Sequence, residues 1–332
     1  MTRHISIRIR RRALPLIGAH VSTAGGLSQV VDRALVMGAE AVQVFSSNPR
    51  TWRRDPPDPD ALTALSLQLH EHRLPLFFHT IYLINLASPD PALRRRSALA
   101  VAHALVLGAI TGASGVVTHV GSHRGQGFDK AAPWTLDALD TAVDTAHHDL
   151  AAHGHADGRW EIPPLLLETA TGSGAIVGNQ LEDLAFLLDR AAFQGPATCA
   201  PQLGLCLDTA HLFAAGYDIG QSRGLERFLT ALRRRGLLGK VRLVHLNDSA
   251  ATLASGRDRH ANPGEGEIGY RGLAGLVRHP ALVRIPFILE VPGADGHGPG
   301  PAEMALVKTM RRGAWRPPRA PTDAGRDPRS QG

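Results

Sequence analysis

Seven short apolar runs in this chain stop on or just before an ionisable side chain: His20, His79, His119, Glu168, Asp208, His245 and Glu290. LGLCLD is the barest case, with Leu205, Cys206 and Leu207 suited to a core and Asp208 directly behind them. Imidazoles and carboxylates next to a low-dielectric interior need compensation. Divalent cations provide it, and a mixed nitrogen and oxygen donor set suits zinc and neighbouring ions. Two local spacings extend the set. D-x-x-H puts His211 one turn beyond Asp208, and D-x-H in GRDRHANPGEGEIG puts Asp258 and His260 on one side of an extended loop. Gly264, Gly266 and Gly269 then permit tight backbone geometry before the next helix. Either spacing alone has an ordinary reading as a loop anchor. A multinuclear metal site requires that all these groups meet.

The elements that must bring them together are eight apolar runs: LPLIGAH, AVQVF, LPLFFH, GVVTH, PPLLLE, LGLCLD, VRLVH and IPFILE. They end at His20, Phe45, His79, His119, Glu168, Asp208, His245 and Glu290. Between them lie amphipathic stretches long enough for a helix, such as residues 27–38, 91–109 and 179–192. Continuous apolar strands alternating with helices indicate a parallel sheet, and eight comparable units favour a closed α/β (β/α)8 TIM barrel over an open doubly wound sheet. In such a barrel the C-terminal strand ends converge on the active-site face. The expected organisation is one barrel domain over 14–312. A basic extension over 1–13 and a Pro/Arg-rich tail over 313–332 are expected to be disordered.

Composition limits the function classes. The 332 residues are 43% hydrophobic and 20% charged, enough to build a large core. No apolar run reaches membrane-span length, and the start lacks the apolar stretch of a secretory signal, so a cytoplasmic protein is expected. Two cysteines, Cys199 and Cys206, are too few for a disulfide framework. Cys206 is expected to point into the barrel as a small buried hydrophobe. Residues 1–12 and 311–332 carry +5 and +4 of the overall +6, leaving residues 13–310 at −3. A basic total charge is therefore no argument that the body binds nucleic acid. Four of the body's carboxylates are in the candidate metal set, and three divalent ions would bring it to about +3.

GAHVSTAGG, FSSNPRTW, FHTIYLINLASP, THVGSH, LLLETATGSG, LCLDTAHLFAAGYD, VHLNDS, RDRHANPGEGEIG and FILEVPG occur in this order from Leu16 to Gly293. Together they resemble the endonuclease IV family, the zinc-dependent apurinic/apyrimidinic endonucleases. The resemblance implies three zinc ions, with manganese admitted at one site. His79, His119 and Glu168 would hold the first. Glu168 would bridge to the second, held also by Asp208, His245 and Glu290. His211, Asp258 and His260 would hold the third. The implied reaction is hydrolysis 5′ to an abasic site in duplex DNA, leaving a 3′-hydroxyl and a 5′-deoxyribose phosphate. Glu168 and Glu290 would share the general-base role. Arg50, Tyr82 and Leu83 would contact DNA as wedge residues, with Trp52 a local packing anchor and His20 and His123 in supporting or phosphate-contact roles. A monomer without an obligate protein partner is implied.

Two departures stand out. Ala250 replaces a lysine often found after the Asn-Asp pair in relatives, and Ala254-Ser255-Gly256 replaces a Gly-Ser-Arg-like run. Both touch a phosphate contact and leave the metal set intact. Two other readings compete. A xylose-isomerase-like sugar isomerase or epimerase also carries strand-end His, Asp and Glu, but needs fewer ligands and has no reason to keep Asp258 with His260, or Arg50 with Tyr82 and Leu83. A non-catalytic zinc-containing lesion-binding protein has no need of Glu168 and Glu290, since structural zinc sites are usually closed four-ligand cages.

Overall fold

The computed structural model describes residues 14–54, 56, 58–152, 161–191 and 202–313. The expected extension over 1–13, the tail beyond Gly313 and Cys199 lie outside the described residues.

Eight strands form one closed, all-parallel barrel. They are β1 (Ile17–His20), β2 (Val42–Phe45), β3 (Leu76–His79), β4 (Gly115–Thr118), β5 (Leu165–Glu168), β6 (Leu203–Asp208), β7 (Val241–His245) and β8 (Phe287–Leu289). Each strand pairs with its sequence neighbours, and β1 pairs with β8 to close the ring. The helices are α1 (Val30–Met37), α2 (Pro59–Glu71), α3 (Pro91–Thr111), α4 (Phe128–Ala152), α5 (Leu181–Arg190), α6 (Thr209–Ala214), α7 (Ser222–Arg234), α8 (Gly269–Arg278) and α9 (Pro301–Arg312). Local chemistry marks several starts. Asp58 and Asp90 accept hydrogen bonds from the first-turn amides of α2 and α3, each with proline at the first helical position. No helix among the described residues is long and apolar enough to cross a membrane.

The period-two alternation of each strand divides the core in two. One set of side chains packs outward against the helices in a large cluster that includes Ile17, Val42, Val44, Leu165, Leu167 and Phe287. The other fills the barrel interior as a layer of Ala41, Phe77, Val117, Leu166, Cys206, Leu243 and Ile288. Cys206 is fully buried there, and burial pushes its thiol up to about 12. Gly18 belongs to the same level, where a Cβ would lie 2.3 Å from the Ala41 carbonyl oxygen.

Glu40, just ahead of β2, ties the C-terminal helix to the first strand. Its carboxylate accepts from the Ile17 N–H at 3.0 Å and from both terminal nitrogens of Arg311, while Arg311 also donates to the Pro15 carbonyl at 2.8 Å. Burial opposes the charge on Glu40, but Arg311, the Ile17 amide and Lys308 hold its carboxyl below the ordinary range. Replacing Arg311 by Ala is expected to cost about 1–2 kcal/mol at pH 7. Because the folded-state pKa is depressed, that contribution is present above the unfolded-state pKa and fades as pH falls through the folded one. Urea unfolding of wild type and Arg311→Ala across pH 3–7 measures it, and the gap should narrow towards acid.

Candidate metal centre

Two residues beyond each member of the interior layer, the same face of every strand carries a polar group. Gln43, His79, His119, Glu168, Asp208, His245 and Glu290 follow Ala41, Phe77, Val117, Leu166, Cys206, Leu243 and Ile288, and His20 follows Gly18. The barrel therefore closes at its C-terminal end with eight polar side chains. His119 and Glu290 sit one residue past their strands, and β2 contributes Gln43 rather than its terminal Phe45. Phe45 packs above this level, its ring 4.3 Å from His20 and 5.1 Å from Tyr82.

The sequence candidates meet in three groups whose ligand atoms lie within 4.8 Å of one another: His79, His119 and Glu168; Glu168, Asp208, His245 and Glu290; and Asp208, His211 and His260. Glu168 faces two of them with different oxygens. Its Oε2 is 3.1 Å from His79 Nε2 and 3.4 Å from His119 Nδ1, while Oε1 is 3.0 Å from His245 Nδ1. His245 Nδ1 also lies 3.0 Å from Glu290 Oε2. Asp258 approaches the third group from the solvent side, 3.2 Å from His211 Nε2 and 3.1 Å from His260 Nε2. Asp208, the deeper carboxylate, belongs to both the second and third groups.

The D-x-x-H spacing is a helix cap as well. Asp208 ends β6, and its Oδ1 accepts the His211 N–H at 2.8 Å, opening α6. His211 is thereby held on the first turn, over the barrel mouth. The D-x-H loop is anchored by Asp248, whose carboxylate accepts from the backbone N–H groups of Gly264, Ile268 and Gly269. Gly266 has to be small here, because a Cβ would fall 2.5 Å from the Ser249 carbonyl oxygen. A two-residue antiparallel ladder between Asp248–Ser249 and His260–Ala261 completes the anchor.

Hydrogen bonds orient the imidazoles. His79, His211 and His260 donate Nδ1–H to the carbonyls of Thr80, Thr169 and Glu290 at 2.7, 2.9 and 2.9 Å. Each carbonyl can only accept, so Nε2 is the ring nitrogen turned towards the carboxylates. His245 has the opposite orientation: Nε2–H donates to Gln43 Oε1 at 2.8 Å, leaving Nδ1 towards Glu168 and Glu290. Asn247 joins two further ligands, donating to Asp208 Oδ2 at 2.7 Å and accepting the Glu290 N–H at 2.8 Å. The sequence reading does not include Gln43, Asn247 or Asp248. Gln43 is detectable as the one polar residue inside AVQVF, while the Asn-Asp pair reads as ordinary loop.

Charge tests whether these residues suit metal ions. Burial works against ionisation of Glu168 and Glu290, yet facing imidazoles hold both carboxyls well below the usual range. Against the imidazoles' own burial, Asp208 and Asp258 raise His211 well above the ordinary imidazole value and His260 to about 9, and His245 is raised well above it as well. Metal ligands bind in their deprotonated form, so ions and protons would compete for these groups. His260 Nε2 is buried and lies 3.1 Å from Asp258 Oδ1 without the geometry of a hydrogen bond, a ring nitrogen turned towards the other ligands. With no thiolate among them, these donors fit zinc and similar divalent ions.

The groups open into a cavity of about 980 Å³. Arg50 and Tyr82 line it, and the Tyr82 N–H donates to the Pro49 carbonyl at 3.0 Å, joining the β2 and β3 loops. Tyr82 is 59% exposed and Leu83 36%, although both are large apolar groups. Trp52 packs partly buried against the core, with Arg96 over its ring at 5.3 Å. His20 lines the cavity. His123 instead accepts the Gly127 N–H at 3.1 Å, a local turn contact. In the departing loop, Ala254 takes a left-handed φ of 60°, strained for a residue with a Cβ, while its N–H and that of Gly256 fasten the loop to the carbonyls of Phe213 and Ala214.

A family model for xylose isomerase-like TIM barrels matches residues 31–312. A probable endonuclease 4 from Halothermothrix orenii is 33% identical over 297 residues, covering 89% of this chain and 99% of that protein. Another from Methanoculleus marisnigri is 35% identical over 278 residues, covering 83% and 92%. Among solved structures, endonuclease IV from Thermus thermophilus superposes with a TM-score of 0.73 at 32% identity, covering 90% of this chain and 98% of that one. A 3-keto-D-glucoside 4-epimerase from E. coli superposes at 0.59 with 13% identity, a likeness of fold alone.

Asn247 tests the hydrogen-bond frame independently of any ion. Asn247→Ala leaves a buried Asp208 oxygen and the Glu290 N–H without partners. Urea unfolding of the metal-free protein should then show a loss of about 2–3 kcal/mol.

Proposed function

We propose, since this chain belongs to the endonuclease 4 family of xylose isomerase-like TIM barrels, that it is a DNA-repair endonuclease hydrolysing the phosphodiester 5′ to abasic sites in duplex DNA. The products would be a 3′-hydroxyl and a 5′-deoxyribose phosphate. The observation that carries the reading is Glu168, fully buried and with one carboxylate oxygen turned towards each of two ligand groups.

His79, His119 and Glu168 would hold one ion; Glu168, Asp208, His245 and Glu290 a second; His211, Asp258 and His260 a third. Zinc is the expected metal, with manganese admitted at one site. When bound, such ions supply Lewis acidity, lowering the pKa of water towards about 7 and offsetting phosphate charge. Glu168, at the junction of two groups, orients the attacking water and accepts its proton. Glu290, fixed at its backbone by Asn247, is placed to share that role. The water oxygen bonds to phosphorus, the bond from phosphorus to the 3′-oxygen breaks, and that oxygen takes up a proton.

Access to the lesion falls to the rim. Arg50, Tyr82 and Leu83 would enter the duplex and fill the gap left by an extruded abasic nucleotide, whose unstacking costs least at a damaged position. The exposure of Tyr82 and Leu83 supports this, since each leaves part of its apolar surface open to a partner. The reading takes the chain as a cytoplasmic monomer, acting without a membrane or an obligate protein partner.

Purified protein should nick a duplex containing one abasic site, and Glu168→Ala should lower the rate at least about 10³-fold. A folded, metal-loaded wild type that leaves the lesion intact would sink the proposal. Elemental analysis should find about three ions in wild type. His211→Ala should hold one fewer while keeping the pair that shares Glu168, and loss of all three would contradict the assignment of His211 to a separate site.

A further inference from the structure

Gln43 is fully buried, and its amide spans ligands from different strands. Its Oε1 accepts His245 Nε2–H at 2.8 Å; its Nε2 donates to Glu290 Oε1 and lies 2.9 Å from His20 Nδ1. His20 Nδ1 is itself 2.9 Å from that Glu290 oxygen, so three groups meet on one side of the amide. In the register, Gln43 pairs with His20 on β1 and Phe77 on β3, within the ring that otherwise consists of imidazoles and carboxylates.

Every other ring position carries an ionisable side chain, whereas Gln43 offers an acceptor and donors without charge. An uncharged amide can accept from an imidazole and donate to a carboxylate at the same time, so it orders the pair without adding to their repulsion or neutralising either. A buried amide is tolerable only with its bonds made, and here they are made to the ligand set. The cavity in front of the ring holds no other neutral side chain bonded to both His245 and Glu290 among the described residues.

We propose that Gln43 is a positioning residue for the second metal group: it fixes the His245 imidazole with Nδ1 facing Glu168 and Glu290, and it fixes the Glu290 carboxylate beside it. The proposal rests on the metal-centre reading above. It goes beyond that reading by giving a role to a residue with no place among the nine ligands, on the strand whose end looked apolar.

Two substitutions separate positioning from space-filling. Gln43→Leu removes both bonds at similar volume. Gln43→Glu keeps the shape and an acceptor for His245 but sets a carboxylate against Glu290. Far-UV circular dichroism and thermal melting establish that each metal-free variant folds. Metal retention is then read by elemental analysis after dialysis against graded chelator, and nicking of abasic duplex is followed against free zinc.

Both variants should lose one ion per chain at chelator concentrations that leave wild type loaded. The zinc midpoint for activity should rise about 10–100-fold, with the KM for DNA within about three-fold of wild type at saturating zinc. A folded variant of either kind with the wild-type zinc midpoint and wild-type retention overturns the role of Gln43 and leaves the metal centre standing. A wild-type chain that takes up no metal overturns the centre itself, and the proposal with it. If Gln43→Leu does not fold, Gln43→Glu alone decides between these outcomes.

Discussion

Eight polar side chains occupy one level of a closed barrel, directly above a layer of apolar ones. That juxtaposition constrains everything else in the molecule. At this depth an unpaired carboxylate or imidazolium is costly, and parallel-barrel geometry points all eight groups into the same mouth. The groups compensate one another: burial opposes the charge on Glu168 and Glu290, while the imidazoles that face them hold both carboxyls well below the usual range. Such an arrangement leaves some contacts imperfect: His260 Nε2 lies 3.1 Å from Asp258 Oδ1 without hydrogen-bond geometry. Divalent cations would compensate imidazoles and carboxylates together, and this donor set suits them.

Supporting that level is a frame of groups that carry no net charge or none that faces the ions. Three imidazoles lean on backbone carbonyls, and a fourth leans on Gln43. Asn247 couples Asp208 to the backbone of Glu290, and Asp248 uses its whole carboxylate on the amides of the loop that delivers Asp258 and His260. The frame explains how a loop residue such as His260 can reach a centre built by strands. It also separates two uses of the same chemistry: Asp208 faces the imidazoles, while its neighbour in type, Asp248, serves only the backbone.

Much of this is legible in the sequence alone, because a barrel strand writes its end into the chain. An apolar run that stops at His79 or Asp208 states both where the strand finishes and what stands at the mouth. The signal fails where apolar character outlasts the ring. In AVQVF the run continues to Phe45, so its last residue marks the strand end, whereas the closing level is set by register with neighbouring strands and falls at Gln43. Register is a property of paired strands, and a single run does not display it. The shared position of Asp208 is hidden for a related reason. Ligand sets inferred one residue at a time assign Asp208 to a single ion, but it stands between two groups in space. The nine candidate ligands come from different strands and loops, so no spacing in the chain shows their convergence.

The rim follows a different rule from the centre. The body carries a net negative charge even though arginines far outnumber the chain's three lysines, so its overall charge does not attract a phosphate backbone. Divalent ions held by the ligand groups, as proposed above, would make positive charge local to the floor of the cavity. The surrounding loops then contribute shape more than charge. Tyr82 stands exposed at the cavity, and its amide is bonded across to Pro49 beside Arg50, so the loops after β2 and β3 are joined where these two residues line it. Covering such apolar area would stabilise the free protein, and leaving it bare is a cost that a partner's surface can recover. Ala254 adds a smaller cost of the same kind: it holds a left-handed backbone conformation so that its loop can fasten to α6, the helix that carries His211. Both costs fall on loops that follow barrel strands, and in each the backbone bonds, Tyr82 to Pro49 and Ala254 to Phe213, hold the loop in place.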